Sequence, residues 1–197
     1  MDQPPPKRHI DLRRVDCFLD SCSLLNLFGS GRCEDILGAI SGTAVIVDRV
    51  ASETIYVYHG GQRSDARQRQ PVNIPRLVEA GLLLVVGLET DAEAVTFVNL
   101  AAELDDGEAL TCALAIHRGG AVATDDRKAL RLLRDTAPHV PTYRTSELIK
   151  QWSDGVSLPG SDLRRLLIDV QERASFIPPR DDPLRGWWES LVRGSQV

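Results

Sequence analysis

Residues 15–28 read VDCFLDSCSLLNLF. A short β-rich run over 15–20 ends on Asp20. Leu24, Leu25, Leu27 and Phe28 then recur at helical spacing, with Ser21 or Ser23 placed to cap the helix. Gly29 and Gly31 stop it. The same unit returns downstream, where residues 121–124, AVAT, lead through Asp125 and Asp126 into a helix that reaches Leu133. Residues 82–86, LLLVV, form another apolar run of strand length, and a last short strand is expected near Thr142 and Tyr143. Short apolar strands alternating with helices predict an α/β domain whose parallel sheet is covered on both faces.

The remaining segments fit around that frame. Ile36, Leu37 and Ile40 predict a second short helix, and residues 43–57 a brief strand followed by a helix. Residues 59–70, HGGQRSDARQRQ, read as an exposed basic loop. Helices are expected over 74–80, from Asp91 to Leu104, and from a cap at Asp105 or Asp106 through Ile116, closed by Gly119 and Gly120. Ser146 starts a further helix. From Trp152 the texture changes to a linker, SDGVSLPGSD, an amphipathic helix, LRRLLIDVQERA, and a proline-hinged segment ending in Trp187 and Trp188. The domain is therefore expected over 15–145, with a helical tail over 146–197. That tail packs on the domain or on a partner, because tryptophans are common at interfaces.

The chain has 197 residues, 43% hydrophobic and 26% charged, which suits one α/β domain with a modest extension. Its apolar runs are too short to cross a bilayer, and MDQPPPKRHIDLRR lacks the apolar stretch of a secretory signal. A cytoplasmic protein is expected. Cys17, Cys22, Cys33 and Cys112 include no C-x-x-C pair and read as reduced thiols. The net charge of −5 leaves any contact with a polyanion to local basic patches.

Four acids stand where packing gives them no reason to be. Asp20 ends the first strand and precedes a helix start, where ligands of open α/β sheets bind. An N-cap also explains it, but Ser21 and Ser23 are competent caps too. Glu53 shares the i, i+4, i+7, i+11 spacing of Ile46, Val50 and Val57, which puts it on the apolar stripe of a helix over that segment. Otherwise it needs a partner such as Arg49. Glu108 joins Asp105 and Asp106 at the mouth of an apolar helix, more acids than the helix dipole needs. Asp125 and Asp126 repeat the pattern; one caps a helix and leaves the other over the sheet. A shared hard cation would remove the cost of gathering these carboxylates, and two such ions suit in-line phosphoryl displacement.

VDCFLDSCSLLNLF, VIVDRVASE, LDDGEALTCALA and AVATDDRKAL, in this order, resemble the acidic motifs of PIN-domain nucleases, most closely the toxin-like bacterial group with a GEA third motif. The resemblance covers roughly residues 15–145. It implies a Rossmann-like three-layer α/β/α fold with a parallel sheet, here with a C-terminal helical extension. It also implies Mg²⁺- or Mn²⁺-dependent endonuclease activity on RNA, leaving 5′-phosphate and 3′-hydroxyl ends. Carried over, Asp20, Glu53, Glu108 and Asp126 are the catalytic and metal-holding acids, with Asp125 as a substitute. Asn26 is the polar residue near the first acid, and Thr124 supports the fourth. Many relatives are toxins neutralised by a small antitoxin, and many dimerise. The long tail and the basic loop depart from the pattern.

Arg63, Arg67 and Arg69 in that loop, with Arg127, Lys128, Arg131 and Arg134 on the helix after TDD, are candidates to hold RNA phosphates. A solvated charged face explains them as well. His9, His59, His117 and His139 form no catalytic pattern. An aspartyl-phosphate phosphatase would need an acid where Cys22 stands, and a phosphoacceptor receiver domain would need a second acid after the first strand. The remaining alternative is a catalytically inactive PIN fold that binds RNA or protein.

Overall fold

The computed structural model describes residues 15–40, 42–52, 56–59 and 68–194. Five strands form one sheet: β1 (Cys17–Leu19), β2 (Ala44–Val47), β5 (Leu84–Val86), β6 (Ala121–Ala123) and β7 (Thr142–Tyr143). Their order is β5-β2-β1-β6-β7, and every neighbouring pair is parallel. β1, β2 and β6 are buried along their whole length, which explains their unbroken apolar sequences CFL, AVIV and AVA. The chain first winds from β1 toward β5 and later returns to β6, so strand order reverses between β1 and β6.

Helices cover both faces of this α/β sheet. α1 (Ser21–Gly29) and α2 (Cys33–Ala39) follow β1, and α8 (Thr145–Gly155) packs against both. α6 (Asp106–Arg118) lies against β1, β2 and β6, with α5 (Asp91–Ala101) and α7 (Arg127–Thr136) beside it. Gly119 and Gly120 have separate tasks between α6 and β6. Gly119 closes the helix at φ 66°, a left-handed conformation that suits glycine. Gly120 runs so close to Phe18 that an added Cβ would lie 2.5 Å from the ring.

The segment between β2 and β5 differs from expectation. It forms α3 (Asp48–Ser52), then an antiparallel pair of β3 (Tyr56–His59) and β4 (Gln68–Pro71), then α4 (Ile74–Glu79). Ile46 therefore belongs to β2 and Val57 to β3, so the stripe proposed for Ile46, Val50, Glu53 and Val57 is not one helix face. The β-branched and aromatic runs VIV and YVY favour strand on either side of a five-residue helix. The basic loop is likewise shorter than expected, since Gln68–Pro71 is strand. α5 stops at Ala101 and is capped by Thr90, whose side chain accepts from Glu93 N while Glu93 accepts from Thr90 N.

The tail belongs to the same core. α8 runs into the expected linker as far as Gly155 and α9 (Gly160–Arg173) takes up its end, leaving only residues 156–159 between them. Leu163, Leu166, Leu167 and Val170 of α9 are buried in the main hydrophobic cluster, where α9 packs on α1 and on β3. Gly29 permits that contact, because a Cβ there would stand 2.8 Å from Ala174 Cβ. α10 (Arg185–Arg193) packs on α9. Its Trp188 is fully buried and meets Phe176 edge-on at 5.7 Å, while Trp187 is partly buried under Lys150. The ring contacts of both tryptophans are thus with other parts of the tail, Phe176 and Lys150. Among the described residues, no helix is long and apolar enough to cross a membrane.

Candidate metal centre

β1 and β6 end side by side at the reversal of strand order, the crevice where open α/β sheets bind ligands. Asp20 follows β1 there, and Thr124, Asp125 and Asp126 follow β6. Asp20 is 3% exposed and caps α1: its Oδ1 accepts from Ser23 N at 2.5 Å. Its Oδ2 accepts from the Thr124 hydroxyl at 2.5 Å, and Thr124 Oγ1 in turn accepts from Asp126 N at 3.0 Å. One threonine thus ties the first acid to the TDD turn.

The two acids of that turn divide their work. Asp126 Oδ1 caps α7 by accepting from Lys128 N and Ala129 N at 2.7 and 2.8 Å. Its Oδ2 has no hydrogen bond among the described residues. Asp125 is committed on both oxygens. Its Oδ1 accepts from Thr145 N at 3.2 Å, and its Oδ2 accepts from the Thr145 hydroxyl and from Asn26 Nδ2, the latter at 3.1 Å. Asn26 Nδ2 also donates to Thr145 Oγ1 at 3.2 Å. Asn26 therefore holds the fourth motif, through a side chain that is itself buried.

Glu108 comes from the first turn of α6, which Asp105 caps at 2.8 Å. Burial pushes its carboxyl up to about 7, and the charges of Asp105, Asp126 and Asp20 add to that. Burial likewise raises Asp20 to about 6; its bonds from Thr124 and Ser23 oppose the rise, and Asp125 adds to it. Asp125 is also raised, by burial first, with Asp182 contributing. These acids are near enough to repel one another. None of Asp20, Glu108, Asp125 and Asp126 has a Lys, Arg or His ion-pair partner among the described residues. Such a set, all carboxylate oxygens and no neutralising cation of its own, fits a hard divalent ion. No three of the described His, Cys, Asp and Glu side chains are drawn into a ready-made cage.

No known family model matches the chain, and no curated protein matches it.

Glu53, Arg63 and Arg67 lie outside the described residues. Arg49, the partner considered for Glu53, pairs with Asp106. Arg69 stands in β4 with its guanidinium 4.4 Å from the Tyr56 ring centre. Arg127 and Arg131 are exposed on α7, which begins at Asp126. Thr145 was not singled out from the sequence, although Arg-Thr-Ser-Glu at a strand-to-helix turn is a capping pattern. Cys22 feels the same acids: its thiol is pushed up to about 12 by partial burial and then by Asp20, Glu108 and Asp125.

Proposed function

We propose that this chain is a PIN-type endoribonuclease that depends on a divalent metal ion. The observation that carries the proposal is that Thr124 joins Asp20 to Asp126 at the β1/β6 switch point, with Glu108 near enough for their charges to raise its carboxyl and no basic partner for any of them among the described residues. Asp20, Glu108 and Asp126 would hold Mg²⁺ or Mn²⁺. Glu53, which follows α3 in sequence, joins them on the resemblance alone. The ion, when bound, supplies neutralisation of the acids and a lowered pKa for water.

The chain's own residues supply orientation. Thr124 fixes the rotamer of Asp20 and the backbone of Asp126 together. Asn26 and Thr145 fix Asp125. Arg127 and Arg131 on α7, next to the fourth motif, offer guanidinium groups to the phosphates of single-stranded RNA. A protein partner, whether the antitoxin that the resemblance implies or a second copy, would find apolar surface at Leu84, Val85 and Leu88 beside β5 and at Val95 and Val98 on α5.

A second reading is a binding module without catalysis. It is favoured by the structural work that Asp20 and Asp125 already do as hydrogen-bond acceptors. Incubation of the purified protein with assorted RNAs, in Mn²⁺ or in EDTA, separates the two. The nuclease reading expects cleavage with Mn²⁺ that stops in EDTA and in Asp20→Asn. RNA bound but uncut with every metal tried supports the binding module.

A further inference from the structure

Three consecutive residues at the start of α8 face two different parts of the molecule. Thr145, the middle one, holds Asp125 and Asn26. Its neighbours are held by the tail. Arg144 Nη2 donates to Asp181 at 2.8 Å, and Ser146 Oγ donates to Asp182 at 2.8 Å. Ser146 and Asp182 are both buried, and Arg144 is only 12% exposed where it meets a half-exposed Asp181. Asp182 is anchored in turn: its Oδ1 accepts from Leu184 N at 2.7 Å, and its carbonyl accepts from Arg185 N at the start of α10. α10 is pinned by the buried Trp188.

We infer that the tail segment PPRDDP, residues 178–183, is a positioning element of the acidic site, with Asp181 and Asp182 setting through Arg144 and Ser146 where Thr145 holds Asp125 and Asn26. The inference rests on the proposed nuclease reading for its catalytic consequence, but the positioning itself is testable without activity. The hydrogen bonds on either side leave Thr145 little freedom to rotate. Release of the outer two would loosen the Thr145 N–H bond to Asp125 and, 119 residues before Thr145 in sequence, the Asn26 amide together.

The test uses full-length protein carrying Asp181→Ala, Ser146→Ala, Asp182→Ala or Asp182→Asn. Amide hydrogen exchange at Thr145 and the side-chain amide resonances of Asn26 are read by NMR, and tryptophan emission reports whether α10 stays docked. With emission unchanged, Asp181→Ala and Ser146→Ala should speed exchange at Thr145 and shift the Asn26 signals. Asp182→Asn, whose amide oxygen can accept from Leu184 N while its NH2 donates to Ser146 Oγ, should recover much of what Asp182→Ala loses. Where wild type cleaves RNA, Asp181→Ala and Ser146→Ala should lower kcat roughly tenfold with little change in KM, as for other outer residues that orient a metal site. Unmoved Thr145 exchange and Asn26 resonances in both variants would overturn the positioning role. Absence of cleavage in wild type, with the NMR changes present, would fault the nuclease reading and leave the positioning role standing.

Discussion

The hydroxyl of Thr124 donates to Asp20 across 2.5 Å, joining two strand ends that are 104 residues apart in sequence. The same oxygen accepts from Asp126 N, so removing it frees a buried carboxylate and an amide at once. Thr124→Val keeps the volume and should destabilise the fold by about 1–3 kcal/mol, the cost of buried polar groups left unpaired. Thr124→Ser should retain most of that stability. Chemical denaturation of the three proteins checks the ranking.

Asp20 and Glu108 set a pH dependence opposite to that of most surface carboxylates. Their carboxyls move from ordinary values of 3.8 and 4.5 to about 6 and about 7. In that window the folded protein holds more protons than the unfolded chain, so stability falls as pH rises through it. Metal-free protein should therefore lose melting temperature between about pH 4 and pH 7. The upward shift given by Mn²⁺ should grow over the same range, because protons and metal compete for the same oxygens. A melting series with EDTA and with Mn²⁺ reads both slopes.

Cys22 is a reporter placed beside the acids. Of the four cysteines only it is exposed; Cys17, Cys33 and Cys112 are buried. Its thiol stands at about 12, raised by partial burial and by the field of Asp20, Glu108 and Asp125. Alkylation at pH 8 should be slow without metal and several-fold faster with Mg²⁺, since a cation among the acids lowers the thiol pKa. Mass spectrometry of iodoacetamide-treated protein measures the rate, and Glu108→Gln should reduce the metal's effect.

Away from the site, Glu93 is the most consequential buried charge. Its side chain is 4% exposed and pairs with Arg118 Nε at 2.8 Å, while Arg118 Nη2 donates to Gly87 O at 2.7 Å. Arg118 foremost, then backbone N–H groups of Glu89 and Thr90, hold the Glu93 carboxyl at about 2, against an ordinary 4.5. That stabilisation is complete above the ordinary value and fades as pH falls toward 2. Glu93→Ala leaves Arg118 with Glu89 alone, 3.4 Å away, and should cost about 1–3 kcal/mol by urea denaturation at pH 7.

Much of this arrangement is written in local sequence. Asp20 and Asp126 stand where a strand run meets a helical period, and capping geometry alone brings them to the sheet's carboxyl edge. Gly119-Gly120 marks a turn for similarly local reasons. Glu53 shows the limit, because a stripe through Ile46, Val50 and Val57 is helical only if the chain stays helical past Ser52. The tertiary pairing of Tyr56–His59 with Gln68–Pro71 overrides that period. Thr145, Asp181 and Asp182 were illegible for another reason. Their roles are contacts among α1, the turn after β6, the start of α8 and a proline-rich turn, and no spacing within one segment encodes such contacts.

Binding of Mn²⁺ itself bears most directly on whether these carboxylates serve one ion. Electron paramagnetic resonance at neutral pH distinguishes free from protein-bound Mn²⁺. Wild-type protein should quench the free-ion signal, and Asp20→Asn and Glu108→Gln, folded by circular dichroism, should each restore most of it. A wild-type protein that leaves the free-ion signal intact, or variants that bind as wild type does, would contradict a shared metal centre.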